Sequence, residues 1–284
     1  MTVQFSAAID RDALDQALRK HGEDFFQHIS EHCPHLFASA VVYVTAAQVS
    51  QMNAVIQAVE RVVKLPGWLM DSSLPESLAQ TEEGTTAPQH GCLGVFFGYD
   101  FHLNDTGAHL IEINTNAGGA YLNALLLDSQ RDTALPGMTA AEANLEQVFV
   151  AMFRSEWRRV RGVAPLTNIA IVDEHPKTQY LYPEFLLAKK IFEDAGIAAH
   201  IVDPVALKVM NDGLHLDGPA GEYKIDLIYN RLTDFYLQSY PALLAAYQSG
   251  QVVLTPHPHA YARYADKYNL ARLTDKSEIG RAHV

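Results

Sequence analysis

Residues 95–114 read VFFGYDFHLNDTGAHLIEIN, and this stretch predicts a β-hairpin that decides the fold around it. Its centre, Asn-Asp-Thr-Gly at 104–107, is a strong turn signal. A three-residue loop whose glycine is left-handed is a favoured closure, and it pairs position 104 with position 108. The same register pairs Asp100 with Glu112. The sequence therefore predicts two carboxylates directly opposite each other.

The predicted hairpin has one polar and one apolar face. Side chains alternate along a strand, so Asn114 shares the face of Glu112 and Asp100. Opposed like charges destabilise a bare hairpin because their Cβ atoms lie about 5 Å apart, and a bound cation removes that repulsion. Oxygen ligands without thiolate or imidazole favour Mg²⁺ or Mn²⁺. The opposite face carries apolar side chains suited to a core surface: Tyr99, Phe101, Leu103, Ile111 and Ile113.

A solvated acidic hairpin face is the alternative interpretation of the same residues. Glu-x-Asn is a common tripeptide, so the polar triplet alone does not decide between the two. The apolar opposite face, the turn register and the Gly118-Gly119 pair four residues beyond Asn114 favour the metal site.

The composition is that of an ordinary globular protein. The chain has 284 residues, 48% of them hydrophobic and 19% charged, enough for one large or two ordinary domains. Its net charge of −12 argues against nucleic acid or an anionic membrane as a partner. Two cysteines, Cys33 and Cys92, are too few for a disulfide framework and fit a reducing cytoplasm. Without a membrane-spanning run or a signal-peptide layout, we expect a soluble cytoplasmic protein.

The last residues of the sequence differ in origin from the rest of the chain. The stretch EIGRAHV at 278–284 looks like an in-frame translation of a sequencing adapter. Residues 277–284 are therefore not expected to contribute to the fold, and we expect the natural chain to continue beyond Lys276.

Helix signals dominate the first half of the chain. An amphipathic helix is predicted after Asp10, and the capping box Thr-Ala-Ala-Gln at 45–48 opens a second one. Residues 72–91 are rich in Ser, Thr, Glu, Pro and Gly and predict a mobile surface loop. Another capping box, at 139–142, opens a long helix that Gly162 would end.

The second half has the pattern of a parallel sheet. Strand-type runs at 168–173 and 198–203 flank a predicted helix at 183–195, which makes a βαβ unit. A hairpin at 209–218 and strands at 225–231 and 252–255 are also predicted.

Three common nucleotide or nucleophile motifs are absent. No Gly-x-Gly-x-x-Gly follows the 168–173 strand, and the sequence has neither a Walker-type loop nor a Gly-x-Ser-x-Gly elbow. We therefore expect activation of an electrophile by metal and phosphate rather than through a covalent enzyme intermediate.

Four N-terminal residues could bind zinc. They are His28, His32, Cys33 and His35, and a histidine pair four apart on a helix can bind that metal. The spacing fits no closed zinc site, so surface histidines on a helix are the favoured interpretation.

Two further segments are candidate ligand contacts. Gly118-Gly119 could admit a phosphate or substrate group close to the backbone, or could be a plain turn. The strand ending at 229–234 is followed by polar residues where α/β sheets bind ligands. There Arg231 could hold a carboxylate or phosphate, or could simply pair with Asp234.

A third candidate segment is the loop after the last predicted strand. It concentrates charged and imidazole side chains, which suits a ligand-facing loop or equally a solvated helix start: His257, His259, Arg263, Asp266 and Lys267.

On these residues the chain resembles circularly permuted ATP-grasp ligases of the glutathionylspermidine synthase type. Asp100 followed by Glu112-Ile-Asn114 is similar to the set that holds two Mg²⁺ ions against nucleotide phosphates in that family. The 229–234 segment and Ala265-Asp-Lys267 are similar to two others. The metal-bearing part precedes the βαβ part, as the permutation requires.

The resemblance implies ATP-dependent joining of a carboxylate to an amine through an acyl phosphate. It assigns Mg²⁺ (or Mn²⁺) to Asp100, Glu112 and Asn114, and anion stabilisation to Arg231. Nucleotide or substrate contacts would come from Asn116, Gly118, Gly119, Asn230, Asp234, Asp266 and Lys267. The sequence does not reveal the oligomeric state, and a homodimer is compatible with the resemblance because related ligases often dimerise.

The implied fold is α/β, with an ATP-grasp-like, circularly permuted catalytic part and a Rossmann-like βαβ pre-ATP-grasp domain. The expected divisions are residues 1–165, 166–262 and 263–276, the last being the start of a nucleotide-binding part that continues beyond Lys276. The chain by itself would then be an inactive piece of the enzyme. The alternative function is a non-catalytic module that binds a small metabolite or nucleotide.

Overall fold

A computed structural model describes residues 6–68, 78, 91–131, 144–219 and 221–275 as a mixed α/β fold. The strands are β1 (Ser6–Ala8), β2 (Ala40–Val42), β3 (Gly98–Asn104), β4 (Gly107–Asn114), β5 (Asn168–Val172), β6 (Ala198–Val202), β7 (Leu207–Met210), β8 (Gly213–Gly218), β9 (Gly221–Ile225), β10 (Leu227–Asn230) and β11 (Val253–Thr255). The helices are α1 (Arg11–Lys20), α2 (Glu23–His32), α3 (Ala46–Val62), α4 (Ala120–Ser129), α5 (Leu145–Arg161), α6 (Tyr182–Asp194), α7 (Pro241–Gln248), α8 (Pro258–Ala260) and α9 (Lys267–Thr274).

The main sheet is parallel, as the βαβ pattern predicts. Its strand order is β11-β10-β5-β6, and each neighbouring pair is parallel. Helix α6 connects β5 to β6. The side chains of Ile169, Ala170, Ile171 and Val172 are fully buried, because both faces of a parallel sheet are covered.

One face of this sheet packs against helices and the other against a smaller sheet. On the first face Ile169, Ile171 and Tyr229 share a core with residues of α1, α2, α4, α5 and α6. On the second face Ala170 and Ile228 pack against the antiparallel sheet β7-β8-β9 and against α7. The predicted hairpin at 209–218 is confirmed as β7 and β8, which start two residues earlier.

The helix ends follow local side-chain chemistry. Asp10 accepts a hydrogen bond from the Ala13 amide at the start of α1, and Thr45 and Gln48 form the predicted capping box of α3. Helix α5 ends at the predicted Gly162. Its amino end is capped by Asn144, while the capping box predicted at 139–142 lies outside the described residues.

The hairpin β3–β4 forms with the predicted pairing of Asp100 and Glu112 but not with the predicted turn. The turn is one residue shorter, so Asn104 pairs with Gly107. The Asn104 side chain accepts hydrogen bonds from the Thr106 amide and hydroxyl, which favours the tight turn. A β-bulge then inserts Ile111 opposite the step from Asp100 to Phe101 and restores the register.

The bulge changes which side chains face the core. Ile111, predicted to be in the apolar face, is 58% exposed, and Leu110 contacts the core instead. Ile113 is buried against Val59 and Val63 near the end of α3. The prediction failed at Ile111 because strict alternation does not hold across a bulge.

Several predictions stay untested. The domain divisions at 165, 262 and 276 remain predictions, and one hydrophobic core joins residues on both sides of position 165. The predicted loop 72–91 lies outside the described residues except for Leu78 and Gly91, and the tail 277–284 lies outside them entirely. Within the described part, no helix has the length and apolar character needed to cross a bilayer.

Phe153 is expected to be a principal stabilising residue of the fold. Its ring is fully buried and lies 4.9 Å from Phe192 and 5.0 Å from Tyr229, centroid to centroid. Phe153→Ala should lower the free energy of unfolding by about 3–5 kcal/mol in urea denaturation. Val148→Ala on the same helix, at a position 50% exposed, is the control and should change it by no more than about 0.5 kcal/mol. Equal effects in the two variants would contradict this description of the core.

Candidate functional site

The hairpin places the three predicted metal ligands on one face. Asp100 pairs with Glu112, and Gly98 pairs with Asn114, with regular register between these pairs. Asp100 is exposed, while Glu112 and Asn114 are partly buried. Within the described residues neither carboxylate has an ion-pair or hydrogen-bond partner. The arrangement thus offers two carboxylates and one amide to a cation, with the solvent side open.

Gly98 allows the chain beyond the hairpin to approach it closely. A Cβ atom at position 98 would lie 3.0 Å from the Ala117 Cβ and 3.7 Å from the Asn114 Cβ. The Ala117 amide donates a hydrogen bond to the Phe96 carbonyl, 3.1 Å away. The segment that leaves the hairpin therefore folds back beside the segment that enters it.

Arg231 joins this segment to the carboxyl end of β10. Its side chain is only 7% exposed, and its Nη1 donates to the carbonyl oxygens of Asn116 at 2.8 Å and Ala117 at 3.2 Å. Asp234 is engaged elsewhere and accepts the Ser239 amide at 2.7 Å. Arg231 thus has main-chain partners instead of Asp234, and its role as an anion stabiliser stays a prediction.

Glu184 holds the next part of the same segment. Its carboxylate is fully buried and accepts hydrogen bonds from the amides of Gly119 at 2.7 Å and Tyr121 at 3.1 Å. Gly119 is the N-cap of α4 and has φ of +89°, a conformation that favours glycine. The amino end of α4 is therefore capped by an internal carboxylate. Phosphate contacts of Gly118 and Gly119 stay predictions.

A small cleft lies where the hairpin segment meets the sheet edge. The predicted contacts Asn116 and Asn230 both line it, together with Thr115, Leu232, Phe235, Pro256, His257 and Tyr261. Asn230 is held by the Pro256 carbonyl and the Leu232 amide. Ligands of α/β proteins commonly bind at such carboxyl ends of parallel strands. The structure thus brings two separately predicted segments to one place.

In the 257–267 segment the two histidines contact Tyr247, whereas Asp266 and Lys267 lie at the start of α9. The hydroxyl of Tyr247 lies 3.1 Å from His257 Nδ1 and 2.8 Å from His259 Nδ1, so both imidazoles contact the same tyrosine. Asp266 is the N-cap of α9 and accepts the Tyr268 amide at 3.0 Å, while Lys267 is exposed in the first turn. Nucleotide contacts of Asp266 and Lys267 stay predictions.

The alternative zinc site has no support in this structure. His28 and His32 lie on α2 with ring centroids 5.0 Å apart, whereas Cys33 is buried and its Sγ contacts the Tyr180 carbonyl oxygen. Across the ranges that the structure describes, no three His, Cys, Asp or Glu side chains are grouped to hold a metal ion.

Sequence reasoning missed Glu184 and Asp173. Glu184 follows a proline in the first turn of α6 and belongs to no motif; its only signal is an acidic residue within an otherwise apolar run. Asp173 directly follows β5 beside Arg231, whose amide donates to the Val172 carbonyl at 2.9 Å. Burial raises the pKa of Asp173 to about 6, although the Glu174 amide and Arg231 act in the opposite direction.

Comparison with known proteins supports the fold and little more. No protein-family model matches the sequence, and no curated protein matches it. One solved structure that does match is a glutathione synthetase-like effector from Globodera pallida in its apo form. The TM-score is 0.53 at 12% identity, and the match covers 85% of this chain but 59% of that one. At this identity the likeness shows a shared α/β fold.

The pKa of Asp173 predicts a specific pH dependence. The folded chain binds this proton more tightly than the unfolded chain, where the pKa is about 3.9. The protonated Asp173 carboxyl therefore contributes its full share to the free energy of unfolding below pH 3.9, and this contribution is lost as the pH rises through about 6. Asp173→Asn should accordingly gain stability relative to the wild type between pH 4 and 7 in urea titrations.

Asp15→Asn, at an exposed position of α1, is the matched control for Asp173→Asn. It removes the same charge without a buried environment and should not reproduce the trend. A stability difference between Asp173→Asn and the wild type that stays constant with pH would show that Asp173 has an ordinary environment.

Proposed function

We propose that this chain is the metal-bearing part of an ATP- and Mg²⁺-dependent carboxylate–amine ligase with a circularly permuted ATP-grasp fold. The main support is the pairing of Asp100 with Glu112 and of Gly98 with Asn114, which gives one face three oxygen donors. The likeness to a glutathione synthetase-like protein adds support at the level of fold.

The donor set fits a hard divalent cation. Two carboxylates face each other without a cationic partner in the described part of the chain, so a bound cation would relieve their repulsion. Mg²⁺ favours oxygen ligands and keeps several waters, which suits an open face bearing Asp100, Glu112 and Asn114. The ion would neutralise charge on the phosphates of ATP.

The proposed reaction has two steps. The substrate carboxylate attacks the γ-phosphorus of ATP, so that an acyl phosphate forms and ADP leaves. The amine nitrogen then attacks the acyl carbon, phosphate leaves, and the nitrogen loses a proton. In this scheme Arg231 stabilises the anionic groups, and the segment containing Asn116, Gly118 and Gly119 lies near the phosphates or the acyl group.

The remaining proposed contacts with nucleotide or substrate are Asn230, Asp234, Asp266 and Lys267. The chain spans 59% of the length of the solved structure that it resembles, so the complete reaction is proposed for the protein that contains this chain. The alternative function is a module that binds a small metabolite or nucleotide at the same site. Only a measurement of turnover distinguishes this module from the ligase.

Mn²⁺ binding tests the metal site directly on this chain. We expect the wild type to lower the electron paramagnetic resonance signal of free aqueous Mn²⁺, and Glu112→Gln to weaken Mn²⁺ binding at least about tenfold. Asp105→Asn at the exposed turn of the same hairpin is the matched control and should bind like the wild type. Equal affinity in Glu112→Gln and the wild type would remove the metal site from this face.

Turnover in the complete protein tests the reaction. Glu112→Gln should abolish ATP-dependent amide formation, while the circular dichroism spectrum stays unchanged and the unfolding midpoint does not fall, because the variant removes the repulsion from Asp100. Retained turnover in this variant would overturn the ligase assignment. Nucleotide binding without any turnover in the wild type would favour the binding module.

A further inference from the structure

Two buried charged side chains, Glu184 and Arg231, hydrogen-bond to the main chain that follows β4. Glu184, from the start of α6, accepts the amides of Gly119 and Tyr121, while Arg231, from the end of β10, donates to the carbonyls of Asn116 and Ala117. The segment 116–121 is thus bound on its amide side by a carboxylate and on its carbonyl side by a guanidinium.

Gly118 lies between the two charged groups. A Cβ atom at this position would be 2.6 Å from Leu181 Cδ1, 3.0 Å from Arg231 Nη2 and 3.6 Å from Glu184 Oε2. A side chain at position 118 would require Leu181 and Arg231 to shift, whereas Glu184 lies at ordinary contact distance. The contact of the two charged groups with the segment is close and fixes its position against the sheet edge.

Burial of such groups is unfavourable unless they are fully hydrogen-bonded. Glu184 is fully buried and Arg231 is only 7% exposed, so a large desolvation penalty applies to both side chains. Both side chains hydrogen-bond to main chain, and the guanidinium of Arg231 also lies 5.5 Å from the ring centroid of Tyr229. Such an arrangement gives positional precision to one segment, and that segment begins two residues after Asn114.

We propose that Glu184 is a positioning residue for phosphate binding: it holds the 116–119 segment beside the metal face so that phosphates on the metal also contact this segment. This inference rests on the proposed function. It assigns Glu184 no contact with the reacting atoms. Its effect should therefore appear in the affinity for a metal–phosphate complex and not in the affinity for the metal alone.

The test compares two probes on the same chain, Mn²⁺ alone and Mn²⁺ with inorganic tripolyphosphate. Tripolyphosphate offers a phosphate chain without a base or ribose. Glu184→Gln keeps one acceptor oxygen and replaces the other by a donor, so it should release one of the two amides. We expect Mn²⁺ affinity within about twofold of the wild type and an affinity for Mn²⁺–tripolyphosphate reduced about tenfold.

Gln130→Leu is the matched control, because it also removes a buried polar side chain that contacts an end of α4. Gln130 follows α4 at its other end and bonds the main chain of Asp10 through both amide atoms. Its replacement should destabilise the fold but leave both affinities unchanged. Hydrogen exchange of the 116–121 amides should accelerate in Glu184→Gln and not in Gln130→Leu.

A second variant covers the case in which Glu184→Gln does not fold. Gly118→Ala adds a methyl group that requires Leu181 and Arg231 to shift, and it should show the same pattern, with Mn²⁺ affinity kept and tripolyphosphate affinity lost. Faster exchange at 116–121 with unchanged tripolyphosphate affinity would overturn the inference.

The proposed function and this inference fail in different ways. A wild type that binds no Mn²⁺ contradicts the proposed metal site and removes the basis of the inference. A wild type that binds Mn²⁺ but not tripolyphosphate overturns the inference and leaves the metal site standing.

Discussion

The contact of Glu184 and Arg231 with the 116–121 main chain is the constraint on which the site depends. A two-stranded hairpin alone is marginally stable in water, and this one packs through Ile113 against Val59 and Val63, but that packing does not join it to the main sheet. The contact of Glu184 and Arg231 with the 116–121 segment joins the hairpin to helix α4 and to the carboxyl edge of the main sheet. The site is thus a product of the junction between these elements and not of any one of them.

The entry side of the hairpin is held in a similar way. Glu156, on α5, is 3% exposed and accepts the amides of Leu93 and Gly94 at 3.2 and 2.8 Å. Phe96 then adopts φ of +54°, which is uncommon for a residue with a side chain, and its ring lies 5.3 Å from that of Tyr121. The chain entering the hairpin is thus held by Glu156 and by the ring of Phe96, and the chain leaving it is held by Glu184.

The fold and the function rest on different kinds of support. A parallel sheet with helices hosts many chemistries, so likeness to a glutathione synthetase-like protein limits the reaction only weakly. The ligase proposal depends on the three oxygen donors of the hairpin face, Asp100, Glu112 and Asn114.

The sequence alone determined the features that depend on neighbours along the chain. The period-two alternation and the turn residues predicted the pairing of Asp100 with Glu112, and apolar runs flanking a helix predicted the parallel β5–α6–β6 unit. That pairing is correct because a turn one residue shorter than predicted is offset by a one-residue bulge. Alternation alone placed Ile111 on the apolar face, whereas its side chain is exposed. Only the tertiary structure brought Glu184 to Gly119, 65 residues away, and Arg231 to Asn116, 115 residues away. Such contacts arise from the packing of α6 and β10 against the hairpin segment, and no local pattern of residues encodes which distant main chain a buried charge will meet.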